Sequence, residues 1–201
     1  MAEKLRIEAK RTAVLSMDLQ AGIVSQYAKD DAVAHGGLIP RVAGILAEAR
    51  NRGITVIHVR AGFRPGLPEV SARNQLFGAI RENPRWQKLF EGSAGEVHPG
   101  IGVQETDIIV TKHRVDAFFG TDLEMILRAK EIDTLVLFGI ATSGVVLSTL
   151  LHASDADYRL IVVKDCCVDQ DAEVHNCLMQ KIFARRASVV SSEELLRVLA
   201  A

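Results

Sequence analysis

Asp18 and Lys112 are the residues whose types and positions most readily do chemistry. Asp18 follows the apolar run Thr12–Met17 (TAVLSM), and Lys112 follows Asp107–Thr111 (DIIVT). A carboxylate and an ammonium at the ends of two buried strands would titrate as a pair. The lysine holds the aspartate ionised and burial opposes it. Such a pair can serve as a general acid/base with its electrostatic partner, or simply as a structural ion pair. Gln20, two residues beyond Asp18, could position a substrate. His58 and Arg60 share a strand face in VIHVR and suit an anionic substrate or a packed face. Phe118 could line a pocket or pack in the core.

The stretch LVLFGIATSGVVLST (Leu135–Thr149) reads as strand, tight turn and helix. Amides at the turn, Ala141, Thr142, Ser143 and Gly144, would favour negative charge and could form an oxyanion hole. The same small residues would also serve a plain strand-to-helix turn. Ser143 has no base beside it in sequence. Cys166 and Cys167, after Asp165, stand at the end of a strand and point to the rim of the same region. A thiolate there or a small apolar filling are both open. No His-x-His or Asp-x-His pair appears, so no metal and no cofactor is expected.

The elements that must hold these residues follow from the apolar periodicity. Strands are expected at Thr12–Met17, Ile54–Val59, Asp107–Thr111, Thr134–Ile140, Arg159–Val163 and Ala187–Val190. Helices are expected at Leu38–Arg52, around Ser71–Glu82, from Leu123, at Gly144–Asp157, at Asp171–Ala184 and after Ser191. Thr121/Glu124 and Ser191/Glu194 have capping-box spacing. Strand and helix alternate, which implies parallel strands with helices on both faces. Ala61–Gly102 breaks the rhythm and carries four of the five prolines. It reads as an excursion covering the sheet edge or the site, within one domain spanning 1–201.

Bulk composition narrows the function classes. Net charge is −1, hydrophobic content 48% and charged content 24%. With no basic block, neither nucleic acid nor a membrane surface is an expected partner. The N-terminal stretch lacks the apolar core of a signal peptide, and no run reaches a membrane span. Three cysteines without CxxC fit a reducing, cytoplasmic setting better than a disulfide framework.

Three segments together, AVLSMDLQ, VTKHRVDAFFGTDLEMIL and VLFGIATSGVVLSTLLHASDADYRLIVVKDCC, resemble the isochorismatase-like hydrolase superfamily across nearly the whole chain. The resemblance implies a three-layer α/β/α, Rossmann-like fold with a six-stranded parallel sheet. It also implies a homodimer or larger homo-oligomer and a small-molecule substrate. Most members are amidases with an Asp–Lys–Cys triad. Asp18 and Lys112 match the first two positions, and the Ile140–Ala141 bond matches a cis peptide of the family. The nucleophile position, six residues after Gly139, is Val145. Valine excludes thioester chemistry there, and the metal-ligand pattern of the nicotinamidases is absent. The isochorismatases, which also lack the cysteine, hydrolyse a vinyl ether by proton transfer from Asp. The resemblance therefore leaves three readings: Cys-independent hydrolysis by Asp18 and Lys112, a catalytically retired binder of a small metabolite, or a nucleophile relocated to Ser143, Cys166 or Cys167.

Overall fold

The computed structural model describes residues 5, 7–28 and 37–200. The ends of the expected single domain, residues 1–4 and 201, lie outside the described residues. So does the opening of the N-terminal stretch read above for a signal peptide.

Six strands form one parallel sheet in the order β3-β2-β1-β4-β5-β6. They are β1 (Thr12–Met17), β2 (Thr55–Ala61), β3 (Ile108–Lys112), β4 (Thr134–Ile140), β5 (Arg159–Val168) and β6 (Ser188–Val190). The central strands β1 and β4 are buried along their whole length, as continuous apolar runs in a parallel sheet should be. The helices are α1 (Ala21–Tyr27), α2 (Leu38–Asn51), α3 (Gln75–Glu82), α4 (Leu123–Ala129), α5 (Leu147–Asp155), α6 (Ala172–Cys177) and α7 (Ser192–Ala200). Helices α2 and α7 pack together on one face, and right-handed crossovers put α4, α5 and α6 on the other. Among the described residues no helix is long and apolar enough to cross a membrane.

Several local expectations change. β5 runs to Val168, so Cys166 and Cys167 are buried inside a strand rather than at a rim. The short helix α1 has no counterpart in the sequence reading. It carries no side-chain cap, and it buries only Gly22, Ile23 and Val24. The Thr121/Glu124 box does not form. Thr121 Oγ1 donates to the Ala117 carbonyl at 2.6 Å, and Glu124 pairs with Arg128. The Ser191/Glu194 box does form: the Ser191 amide donates to Glu194 Oε2 at 2.7 Å, and the Glu194 amide donates to Ser191 Oγ at 3.2 Å.

The excursion contains α3 and a small apolar cluster of Val70, Phe77 and Ile80, with Phe63 and Phe90 edge-on to one another. It then returns across the end of β1. The His98 amide donates to the Leu19 carbonyl at 2.8 Å, and the Ala21 amide donates to the Glu96 carbonyl at 2.9 Å.

One glycine fixes how closely β1 and β4 can approach. Gly139 has φ +148°, and a Cβ there would lie 2.0 Å from the Met17 carbonyl oxygen. Gly139→Ala should therefore destabilise the protein by about 1–3 kcal/mol or more, because backbone must move. Urea unfolding would measure it; an unchanged midpoint would mean that the strands separate without cost.

Candidate active site

The Asp18 carboxylate and the Lys112 ammonium meet at the carboxyl end of the sheet. Lys112 Nζ lies 2.9 Å from Asp18 Oδ2 and donates to the Arg114 carbonyl at 3.0 Å. Both residues are buried. Regular strand alternation would put Asp18 on the face of Ser16, opposite Lys112. Asp18 instead has φ +53°, a left-handed conformation just past β1, and its carboxylate reaches the ammonium.

Asp18 Oδ1 is buried and has no hydrogen-bond partner among the described residues. A carboxylate oxygen in that state is either costly or in use by a ligand. Burial pushes the Asp18 carboxyl above its ordinary value, and the Lys112 charge and hydrogen bond pull it back in part.

The next wall is the turn after β4. The Ile140–Ala141 peptide bond is cis. Thr142–Val146 then forms one wide turn leading into α5, with Thr142, Val145 and Val146 buried. Two of the four turn amides read as an oxyanion hole are engaged within the protein. The Ser143 amide donates to Asp169 Oδ2 at 2.7 Å, and the Gly144 amide donates to the Ala141 carbonyl at 3.1 Å. Thr142 Oγ1 and His175 Nδ1 are 2.8 Å apart, fastening the turn to α6. Because Thr142 is fully buried, this contact is a pin and not an exposed nucleophile.

Four residues expected at the substrate are placed elsewhere. Gln20 is fully buried, and backbone groups engage its amide: it donates to the carbonyls of Ala61 and Gly95 and accepts from the Ala61 amide. It clamps β1 to β2 and the excursion. His58 is also fully buried, with Nε2 3.1 Å from Asp107 Oδ2. Asp107 in turn pairs with Arg50 of α2 at 2.6 Å. Burial holds the His58 imidazole below its ordinary value, so this is a packed network low on the sheet. Arg60 bonds to Glu96 and, at 3.3 Å, to Thr111 Oγ1. It lines a cleft of about 440 Å³ with Phe63, Arg64, Phe90 and His113, which does not include Asp18 or Lys112. Phe118 stacks on His152 at 4.4 Å and packs beside Tyr158, so it is core and not a pocket wall.

Neither buried thiol in β5 is activated. Burial pushes the Cys167 thiol up to about 12 and raises Cys166 as well. Cys177 is free and exposed. Brief iodoacetamide treatment of the native protein should therefore add one label, at Cys177, and mass spectrometry of peptides would locate it. Rapid labelling of Cys166 or Cys167 would instead revive a relocated thiol.

The residues that the strand-end rule missed are Tyr27, Asp169 and His175. The negative charges of Asp169 and Asp18 both reach Tyr27, whose phenol is raised first by burial and then by those two charges. Asp169 also acts on His175, where burial dominates and holds the imidazole low. Asp169 would have been found had β5 been read to its true end, since it follows Val168 directly. Tyr27 gave no signal without α1.

Comparison with known proteins identifies the family and the fold. The isochorismatase domain model covers residues 12–194. The isochorismatase family protein YecD of Escherichia coli O157:H7 is 34% identical over 97% of this chain and 100% of its own. Maleamate amidohydrolase of Pseudomonas putida is 26% identical over 94% of this chain and 87% of its own. An isochorismatase family protein from Burkholderia thailandensis superposes with a TM-score of 0.79 at 26% identity, covering 98% of this chain and all of that one. From its sheet order, its whole-length relatives and its domain match, this chain belongs to the isochorismatase family of hydrolases.

Proposed function

We propose that the protein hydrolyses a small organic molecule by acid–base chemistry at Asp18, with Lys112 as its electrostatic partner and no cysteine nucleophile. The observation that carries this reading is the buried, unpartnered Asp18 Oδ1 beside an ammonium at 2.9 Å. Burial keeps a proton on that carboxyl to higher pH than usual, which is what a general acid needs. Val145 takes the place of the family nucleophile and offers no group for covalent catalysis. For a vinyl ether, Asp18 would deliver its proton to the enol-ether carbon. Water then adds to the oxocarbenium-like carbon and returns a proton to Asp18, and the hemiketal collapses to a carbonyl and an alcohol. The family resemblance supports a small-molecule substrate and an assembly of two or more copies.

The pH dependence has a definite sign. Asp18 works protonated, and its folded-state value lies above the ordinary 3.8. Turnover should be highest at low pH and fall as pH rises through that raised value. The same shift makes Asp18 stabilising below 3.8, and this contribution is lost as pH rises through the folded value. A kcat/KM profile that rises with pH across the same range would mean that ionised Asp18 is the working form.

A second reading is a catalytically retired binder. It is favoured by Val145 and by a 28% identical relative described as a probable inactive nicotinamidase of Arabidopsis thaliana. Turnover of any vinyl ether, amide or ester above background, lost in Asp18→Asn, would remove it.

A further inference from the structure

We propose that Arg114 is a positioning residue for the Asp18–Lys112 pair: its guanidinium ties the segment after β3 to the excursion, and its own carbonyl thereby holds the Lys112 ammonium against Asp18. The inference rests on the reading that Asp18 and Lys112 form the reactive site.

Lys112 Nζ has three hydrogens to place. One meets Asp18 Oδ2 at 2.9 Å, and one the Arg114 carbonyl at 3.0 Å. That carbonyl lies only two residues along the chain, so the backbone must fold back after β3 to present it. A carbonyl in such a bend is fixed only as well as the bend itself. Here the side chain of the same residue fixes it. Arg114 Nη1 donates to the His113 carbonyl at 2.6 Å, and Nη2 donates to the Glu69 carbonyl at 2.9 Å. The guanidinium carbon stands 5.5 Å from the centre of the Phe77 ring, within reach of a cation–π contact.

The far end of this tie is firmly packed. Phe77, and Val70 next to Glu69, are buried in the apolar cluster of the excursion, and Val115 packs against the same cluster. His113 Nδ1 donates to the Gly62 carbonyl at 2.6 Å. Consecutive residues His113, Arg114 and Val115 are thus all fastened to the excursion, which sets the bend that holds the lysine. A lysine at position 114 would lack the fork that spans two carbonyls. Of the titratable groups around Asp18, Lys112 of β3 is charged, and Tyr27 of α1 is neutral because burial raises its phenol. The Lys112 charge opposes the effect of burial on Asp18. An ammonium without its second acceptor is held less firmly, and its pull on the carboxyl weakens.

The test follows Asp18 directly, by carbon NMR of side-chain carboxyls in the aspartate-labelled full chain, with its resonance assigned by loss in Asp18→Asn. Arg114→Ala should raise the pH at which Asp18 titrates by at least about 0.5 unit. Any turnover should show its high-pH fall displaced upward by the same amount. Arg114→Lys keeps a cation near Phe77 and one donor for the Glu69 carbonyl. It should give a smaller shift of the same sign, and it decides the matter if Arg114→Ala does not fold. Arg81→Ala controls for loosening of the excursion alone, since Arg81 of α3 holds the Val70 carbonyl at 3.3 Å. It should leave Asp18 within about 0.2 unit. Asp18 unmoved or moved downward in the folded Arg114 variants, or moved as far in Arg81→Ala, would overturn the inference. The titration needs no turnover, so the two readings fail separately. A protein inactive on every substrate, whose Asp18 still shifts in Arg114→Ala, keeps the positioning role. One with Asp18-dependent turnover and an Asp18 titration indifferent to Arg114 loses it.

Discussion

Asp18→Asn should yield a folded protein whose turnover is lower by about 10²–10⁴-fold, the usual contribution of a positioned acid or base. The asparagine keeps the size of the side chain and a donor or acceptor toward Lys112, so the left-handed turn at φ +53° can persist. What disappears is the proton that Asp18 can give and take. The measurement is kcat on whichever vinyl ether, amide or ester the unaltered protein consumes, alongside circular dichroism and thermal unfolding. A variant that keeps its fold and its rate would end the acid–base reading and leave binding as the function of the site. A variant that unfolds would decide nothing about chemistry, so Asp18→Glu is the companion. It keeps the acid and moves it by one methylene, and it should cost rate without loss of the high-pH fall.

Lys112→Met should destabilise the fold by about 3–5 kcal/mol, because it leaves a buried carboxylate without its partner. Lys112 and Asp18 are both buried, Lys112 pairs with Asp18 Oδ2, and Asp18 Oδ1 has no hydrogen-bond partner among the described residues. Protonation of Asp18 relieves part of the loss, so the cost should grow as pH rises. The double variant Asp18→Asn/Lys112→Met should regain much of the stability, since no charge is then left alone. Urea unfolding of the four proteins closes the cycle. Strictly additive losses would mean that the two groups contribute independently, and the pair would then carry no special coupling.

Most of the fold was readable along the chain. β1 and β4 are continuous apolar runs of the length a buried parallel strand needs, and their ends were found to the residue. The alternation of strands with amphipathic helices implied the parallel sheet before any contact was known. The misses have local causes. Lys164 and Asp165 interrupt the apolar signal, so the sequence pattern ends the strand at Val163 although β5 runs to Val168. α1 is held by the packing of Gly22 under the backbone of Leu89, where an added Cβ would lie 2.6 Å from the Leu89 carbonyl oxygen. No window of sequence shows that contact. Thr121 has the spacing of a capping box, but its hydroxyl accepts from the Leu123 amide at 3.3 Å rather than from Glu124, and donates to the Ala117 carbonyl.

The site divides along the same line. The family resemblance singled out Val145 as the nucleophile position, and residue types at strand ends determined that Asp18 and Lys112 stand at the carboxyl edge of the sheet. That follows because period-two strands in a parallel sheet deliver their last residues to one edge. Whether those residues meet, and which of their neighbours are free, was decided only by tertiary structure. The left-handed φ of Asp18 brings the carboxylate to Lys112. Gln20, His58 and Phe118 were plausible ligand contacts by type, yet backbone groups, Asp107 and His152 engage them. Asp169 lies 26 positions from Ser143 and holds its amide at 2.7 Å. Hydrogen bonds and desolvation act over a few ångströms of space, not along the chain. For that reason the sequence could determine which groups reach the site's edge, while the folded structure decided which of them are left to act.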